Sequence, residues 1–286
     1  MNEPVIMLAL AIFPVVILAF YVYRKDKFDK EPLGMLIKAF CFGCLSAVPA
    51  IFLEGFLGTL YTTFGGNAMP GIVDGIYNGY IVAGFSEELC KLLLLMMAVW
   101  RSRHFNEYFD GIVYATFVSL GFAGLENILY VFQQDTFSNA IMTGSVRALL
   151  SVPGHFLFGV AMGYYLALAK FQPERRRSYL FKALLYPMLL HGTFDALLMI
   201  PEAMGEEGAW TSAFLFPLFI YFDIRMWKAG IRKLRALQEM SEQQAYDTPN
   251  DHDSQDRYDD SYNHYNDYGN GNGAGNDTFS GFRWDV

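Results

Sequence analysis

Residues 72–100 read IVDGIYNGYIVAGFSEELCKLLLLMMAVW, an apolar run with two adjacent carboxylates and an ammonium, Glu87, Glu88 and Lys91, at its centre. A helix rises about 1.5 Å per residue, so roughly 20 residues cross the hydrocarbon core of a bilayer. Charge at that depth is costly and is kept where it is partnered or functional. Outward from this run the apolar pattern repeats. Further blocks occupy about 4–23, 33–60, 109–133, 145–170, 179–200 and 209–228. The chain is 53% hydrophobic with a mean hydropathy of +0.21, high for a soluble domain of 286 residues. The expected fold is all-α, a polytopic membrane bundle of about seven transmembrane helices. The blocks at 33–60 and 72–100 exceed the bilayer thickness and are expected to include tilted or extramembrane turns.

Basic residues alternate with these blocks. Arg24, Lys25, Lys27 and Lys30 follow the first; Arg101 and Arg103 follow the third; Lys170 and Arg175 to Arg177 follow the fifth; Lys228, Arg232, Lys233 and Arg235 follow the last. The intervening connections, 62–71, 133–144 and 201–208, contain no Lys or Arg. The positive-inside rule then places the amino terminus outside and the carboxyl terminus in the cytoplasm. The first block has no basic leader and no small-residue cleavage site, so it reads as a retained span rather than a signal peptide.

Three divisions follow: a transmembrane region over 1–230, a cytoplasmic surface helix over 231–245, and an acidic, disordered tail rich in Asp, Asn, Tyr and Gly over 246–286. Residues 241–286 hold nine Asp and one Glu against two Arg, which accounts for the whole formal charge of −8. The remainder is neutral, so neither charge nor a basic patch argues for a nucleic-acid partner; the expected partner is the lipid bilayer. His252 and His264 lie in the tail without fixed ligand spacing. Cys41, Cys44 and Cys90 fall inside apolar blocks and read as packing residues rather than a disulfide or zinc framework.

The chemistry-bearing residues sit in four of the blocks. On a helix Lys91 lies one turn beyond both Glu87 and Glu88, so it can pair with one carboxylate and leave the other as a general base. The bland reading of one such pair is a buried ion pair that locks two helices. Glu126 lies in Phe122-Ala123-Gly124-Leu125-Glu126-Asn127, where Gly121 and Gly124 invite a close helix neighbour. His155 is in Pro153-Gly154-His155-Phe156, followed by Gly159 and Gly163. His191 and Asp195, spaced i and i+4, share a face, so the carboxylate can fix the imidazole's tautomer and orientation. Each histidine alone reads most simply as a packing hydrogen bond. Depth argues otherwise: counted from the outer ends, Glu126 lies roughly 10 Å deep, His155 and His191 roughly 14 Å, and Glu87 roughly 15–20 Å. Titratable groups from four helices in one layer point to a shared polar site. Glu54, Asp74, Lys38 and Arg147 lie nearer block ends and are expected to reach the interface by snorkelling. No serine-hydrolase elbow, zincin motif or P-loop is present.

Asp29-Lys30-Glu31-Pro32, Glu87-Glu88-x-x-Lys91, Phe122-x-x-x-Glu126, His155 and His191-x-x-x-Asp195 together resemble the PrsW family of intramembrane proteases, over about residues 1–230. That family is related to the CAAX prenyl endopeptidase (Abi) family and to the Aph-type scaffold of gamma-secretase. The resemblance implies a bacterial plasma-membrane peptidase whose substrate is a single-span membrane protein, as an anti-sigma factor in envelope-stress signalling would be. Two mechanisms remain open. In a glutamate mechanism Glu87 or Glu88 activates water while His155 and His191 stabilise the oxyanion and protonate the leaving amine. In a metal mechanism His155, His191 and Glu126 hold zinc and Glu87 is the base. Asp195 orients His191, and Lys91 holds the glutamates, in either. The rival class is a non-catalytic scaffold or a proton-coupled transporter built on the same residues.

Overall fold

Pro32 and Pro70 each stand immediately before a helix, where a fixed φ and a missing N–H cost nothing. Such punctuation divides the chain into rods. The computed structural model describes residues 2–27, 29–205 and 208–247. Among them are nine α-helices and no strand: α1 (Glu3–Lys25), α2 (Leu33–Thr63), α3 (Gly71–Tyr77), α4 (Ser86–Val99), α5 (Tyr108–Phe132), α6 (Phe137–Leu149), α7 (Ser151–Phe171), α8 (Arg176–Ala203) and α9 (Gly208–Asp247). A π-helical segment, Asn78–Phe85, joins α3 to α4.

Five stretches are long and apolar enough to cross a membrane: 3–25, 33–63, 108–132, 137–171 and 173–203. The block read from sequence as one helix over 72–100 is continuous helix from Gly71 to Val99, with the π-helical segment, Asn78–Phe85, directly ahead of the glutamates. The block at 145–170 is broken at Leu150 (φ −118°, ψ −60°), so that its first residues belong to α6 and the rest to α7. The last block runs on unbroken as α9, and Leu234, Leu237 and Ser241 on its extension are buried. The acidic tail, from residue 248 onward with His252 and His264, lies outside the described residues.

Helices α5 and α7 form the centre, each buried on most of its surface. They meet backbone to backbone: a Cβ on Gly163 would collide with the Gly111 carbonyl. Gly121, singled out in sequence, does the same against Phe40 of α2, whereas Gly124 makes only ordinary contacts. Of the cysteines, Cys90 is buried, Cys44 donates to the Gly121 carbonyl at 3.2 Å, and Cys41 is exposed.

At the end of the bundle that carries the α1–α2 and α4–α5 connections, the Asp29-Lys30-Glu31-Pro32 segment is a tie. Tyr114 donates to the Glu31 carboxylate, the Glu31 N–H donates to Asp26 Oδ2 at 3.0 Å, and Asn106 Nδ2 reaches Asp29 Oδ2 at 2.9 Å. α9 joins it through Gln238, which donates to the Lys25 carbonyl at 2.6 Å, and Ser241, which accepts from the Phe109 N–H at 2.9 Å. Burial pushes the Glu31 and Glu107 carboxyls up to about 7.

Candidate active site

The π-helical segment presses on α8 where glycines permit it: Gly79 and Gly84 face the α8 backbone near Gly192, and Tyr80 packs on Gly192. Tyr80 and Thr193 share a 2.6 Å hydroxyl hydrogen bond. This contact brings His191, next to Gly192, against the start of α4. π-Helical turns recur at functional sites because they re-aim the residues that follow.

Lys91 is fully buried and donates to Glu87 Oε2 at 2.9 Å and to Glu88 Oε1 at 2.8 Å. The expectation that it pairs with one carboxylate and frees the other is therefore corrected, because i+3 and i+4 partners lie on one face and an ammonium has three donors. The third proton points to His155 Nδ1 at 3.0 Å, and the Phe122 ring lies 4.0 Å beneath Nζ. The Phe122-x-x-x-Glu126 spacing thus supplies both a cation platform and an acid.

With Nδ1 accepting from Lys91, the His155 Nε2–H donates to Glu126 Oε2 at 2.9 Å. Ser119 holds the His155 carbonyl at 2.6 Å. His191 is arranged alike. Its Nδ1 is 2.9 Å from Glu88 Oε1, its Nε2 is 3.2 Å from Asp195 Oδ2, and its ring stacks on Phe158 at 4.6 Å. The two imidazoles lie 5.2 Å apart, each backed by a carboxylate on Nε2 and turned by Nδ1 toward the glutamate pair. Ligand atoms of Glu87, Glu88, His155 and His191, all buried, converge within 4.8 Å of one another. Glu126 and Asp195 stand outside that group, behind the histidines.

A cavity of about 630 Å³ opens on Glu87, Glu126, His155, His191 and Asp195. Arg147 and Glu54 also line it. Arg147 does not snorkel: its Nη2 is 2.6 Å from Glu126 Oε2, its Nε donates to Asn127 Oδ1 at 2.9 Å, and its guanidinium lies over Tyr130. Nothing near Arg147 in sequence announces this contact, which depends on α6 folding as a separate helix beside α5. Glu54 likewise faces the cavity rather than the interface. Lys38 donates to the Ala98 carbonyl at 2.8 Å, and Asp74 accepts from Asn78 at 3.1 Å.

The profile of the PrsW family intramembrane metalloproteases matches residues 31–222. The chain belongs to the PrsW family. Among similar proteins is Protease PrsW of Clostridioides difficile, 40% identical over 227 residues, covering 79% of this chain and 88% of that protein. The Geobacillus kaustophilus protein of the same name is 35% identical, covering 84% and 95%. That of Bacillus subtilis is also 35% identical, covering 78% and 92%. No solved structure matches. PrsW membership makes this chain a membrane-embedded peptidase with bacterial relatives, and the scaffold and transporter alternatives are not favoured. The family's description as metalloproteases agrees with a buried Glu/His group able to hold a metal.

Proposed function

We propose that this chain hydrolyses a peptide bond of a single-span membrane protein, an anti-sigma factor being one such substrate, with Glu87 activating the attacking water. The observation that carries this reading is the difference between the two glutamates. Both bond Lys91, but Glu87 lines the cavity and keeps 6% exposure, whereas Glu88 is 0% exposed and also bonds His191 at 2.9 Å. Water reaches Glu87 and not Glu88, so Glu87 takes the proton and Glu88 anchors Lys91 and His191. Glu87 then passes that proton to the leaving amine, with the imidazoles of His155 and His191 at the cavity wall beside the developing oxyanion. Glu126 and Asp195 hold the two rings in orientation.

The donor set fits a zinc-type ion. It combines two imidazoles with carboxylates, and Glu88 Oε2 is a buried acceptor without a partner. His155, His191 and Glu88 would hold the ion, with Glu126 acting through His155 rather than as a ligand. When bound, zinc polarises the scissile carbonyl and acidifies water.

In this reading α3 to α4 and the first half of α9 join the five long stretches as seven spans, the amino terminus lies outside, and the cavity lies in the outer half of a bacterial plasma membrane. Purified full-length protein should cleave a single-span substrate in detergent. Glu87→Gln and His191→Ala should abolish cleavage at unchanged expression, and chelation should remove it until zinc is restored. Cleavage that survives both substitutions would overturn the proposal.

A further inference from the structure

We propose that Lys91 and a divalent metal are alternative occupants of one donor set: the lysine ammonium holds the site together until the metal displaces it. The inference rests on reading Glu88, His155 and His191 as the metal-holding group, with Glu87 beside them as the base. An ammonium has three N–H donors and no acceptor. Those of Lys91 meet Glu88 Oε1 at 2.8 Å, Glu87 Oε2 at 2.9 Å and His155 Nδ1 at 3.0 Å. Three of the four side chains that converge within 4.8 Å as metal donors are thus engaged by one internal cation. The fourth, His191, bonds through Nδ1 to the same Glu88 Oε1. Below Nζ the Phe122 ring closes the remaining side at 4.0 Å.

A lone pair that accepts an N–H is not free to bind a metal, and two cations in so small a space repel in a medium of low dielectric. Metal entry therefore requires the ammonium to give up His155 Nδ1, whose one lone pair it occupies, and charge repulsion drives it back from the two carboxylates, each of which has a second oxygen for the ion. A second observation favours an occupant of higher charge. Glu88 Oε2 is fully buried and has no partner, so the set holds more acceptor capacity than one ammonium uses. Without a cation, two adjacent buried carboxylates would be strongly destabilised. Lys91 thus lets the metal-free bundle fold, and it imposes an exchange step that weak or adventitious ions fail.

The test measures metal binding, not cleavage. Full-length protein in detergent is titrated with zinc against a chromogenic chelator, metal content is measured after dialysis, and the unfolding temperature is recorded with and without zinc. Lys91→Met keeps the stem and removes the charge. It is expected to bind zinc about a hundredfold more tightly than the unaltered protein, and to gain more in unfolding temperature on zinc addition. Lys91→Arg keeps a cation and should bind no more tightly than the unaltered protein. Adding His191→Ala to Lys91→Met should abolish the gain, which separates this site from adventitious binding. A Lys91→Met protein that accumulates only with zinc in the medium also supports the exchange. Unchanged or weaker zinc affinity in Lys91→Met, or failure of that variant to fold even with zinc, overturns it. Because cleavage is not read, a protein that binds as expected but does not cleave would count against the protease reading alone.

Discussion

Glu126 serves two partners through one oxygen: Oε2 lies 2.6 Å from Arg147 Nη2 and 2.9 Å from His155 Nε2. Glu126→Gln keeps the shape, and its amide oxygen can still accept from both, but it removes the negative charge that both are drawn to. The charge assistance to these hydrogen bonds is lost, worth about 1.5–3 kcal/mol. If His155 must be held for the reaction, kcat/KM should fall about 10–100-fold. Arg147→Met leaves the Glu126–His155 bond in place and removes only its support, together with the 2.9 Å contact to Asn127. The side chains of Arg147 and Glu126 are 13% and 18% exposed, so solvent softens that loss to about 1 kcal/mol, or roughly fivefold. The double variant decides the matter. If Arg147 acts through Glu126, the double variant is no slower than Glu126→Gln alone, a coupling of about 1 kcal/mol. The assay is the initial rate of cleavage of a single-span substrate in detergent, with unfolding temperatures recorded for all four proteins. Effects that simply multiply would refute the relay and give Arg147 an independent role.

Glu87→Gln and Glu88→Gln should separate chemistry from support. The first should abolish cleavage and, with its one charged bond to Lys91 weakened, cost about 1.5 kcal/mol, whereas the second, which weakens the hold on both Lys91 and His191, should cost about 3 kcal/mol; equal unfolding temperatures would contradict the division. Gly163→Val drives a side chain into the Gly111 carbonyl and should prevent accumulation of folded protein, while Gly34→Ala, with nothing within 4 Å of the new Cβ, should gain up to about 1 kcal/mol in chemical denaturation. Burial pushes Glu31 and Glu107 up to about 7, above the usual value near 4.5, so the folded state binds more protons between those values and its stability falls as pH rises from about 5 to 8. Glu31→Gln should flatten that decline in a pH series of unfolding temperatures, and a steeper decline would count against the assignment.

The membrane class and the residues that gather at the candidate site were legible because burying charge in an apolar run is costly wherever it occurs. Counting along helices could also bring Glu87, Glu126, His155 and His191 to one depth, since rise per residue is a local property. What it could not supply was azimuth. Whether Arg147 reaches lipid headgroups or Glu126 depends on the break at Leu150, which the apolar pattern of 145–170 does not mark. The π-helical turn before Glu87 has the same character: Gly79 and Gly84 permit it, but the reason for it is α8 pressing from the other side. Glu126 was read as a metal ligand because a carboxylate near two histidines suits that role. Its position on Nε2 of His155, away from the glutamate pair, favours an orienting role instead.

Charge balance connects these features. Four carboxylates, Glu87, Glu88, Glu126 and Asp195, surround the two histidines, and two side chains of fixed positive charge, Lys91 and Arg147, face them. A medium of low dielectric penalises the remaining deficit of positive charge. Protons on the imidazoles can cover part of it, but His155 Nδ1 accepts from Lys91 and cannot carry one while that bond stands. His191, with a carboxylate oxygen at each nitrogen, has acceptors for protons on both. A divalent cation would cover the deficit of these four carboxylates with both imidazoles neutral, provided Lys91 gives up its place among the donors without leaving the site. The same electrostatics therefore make the site attractive to a metal and make the lysine the obstacle to it.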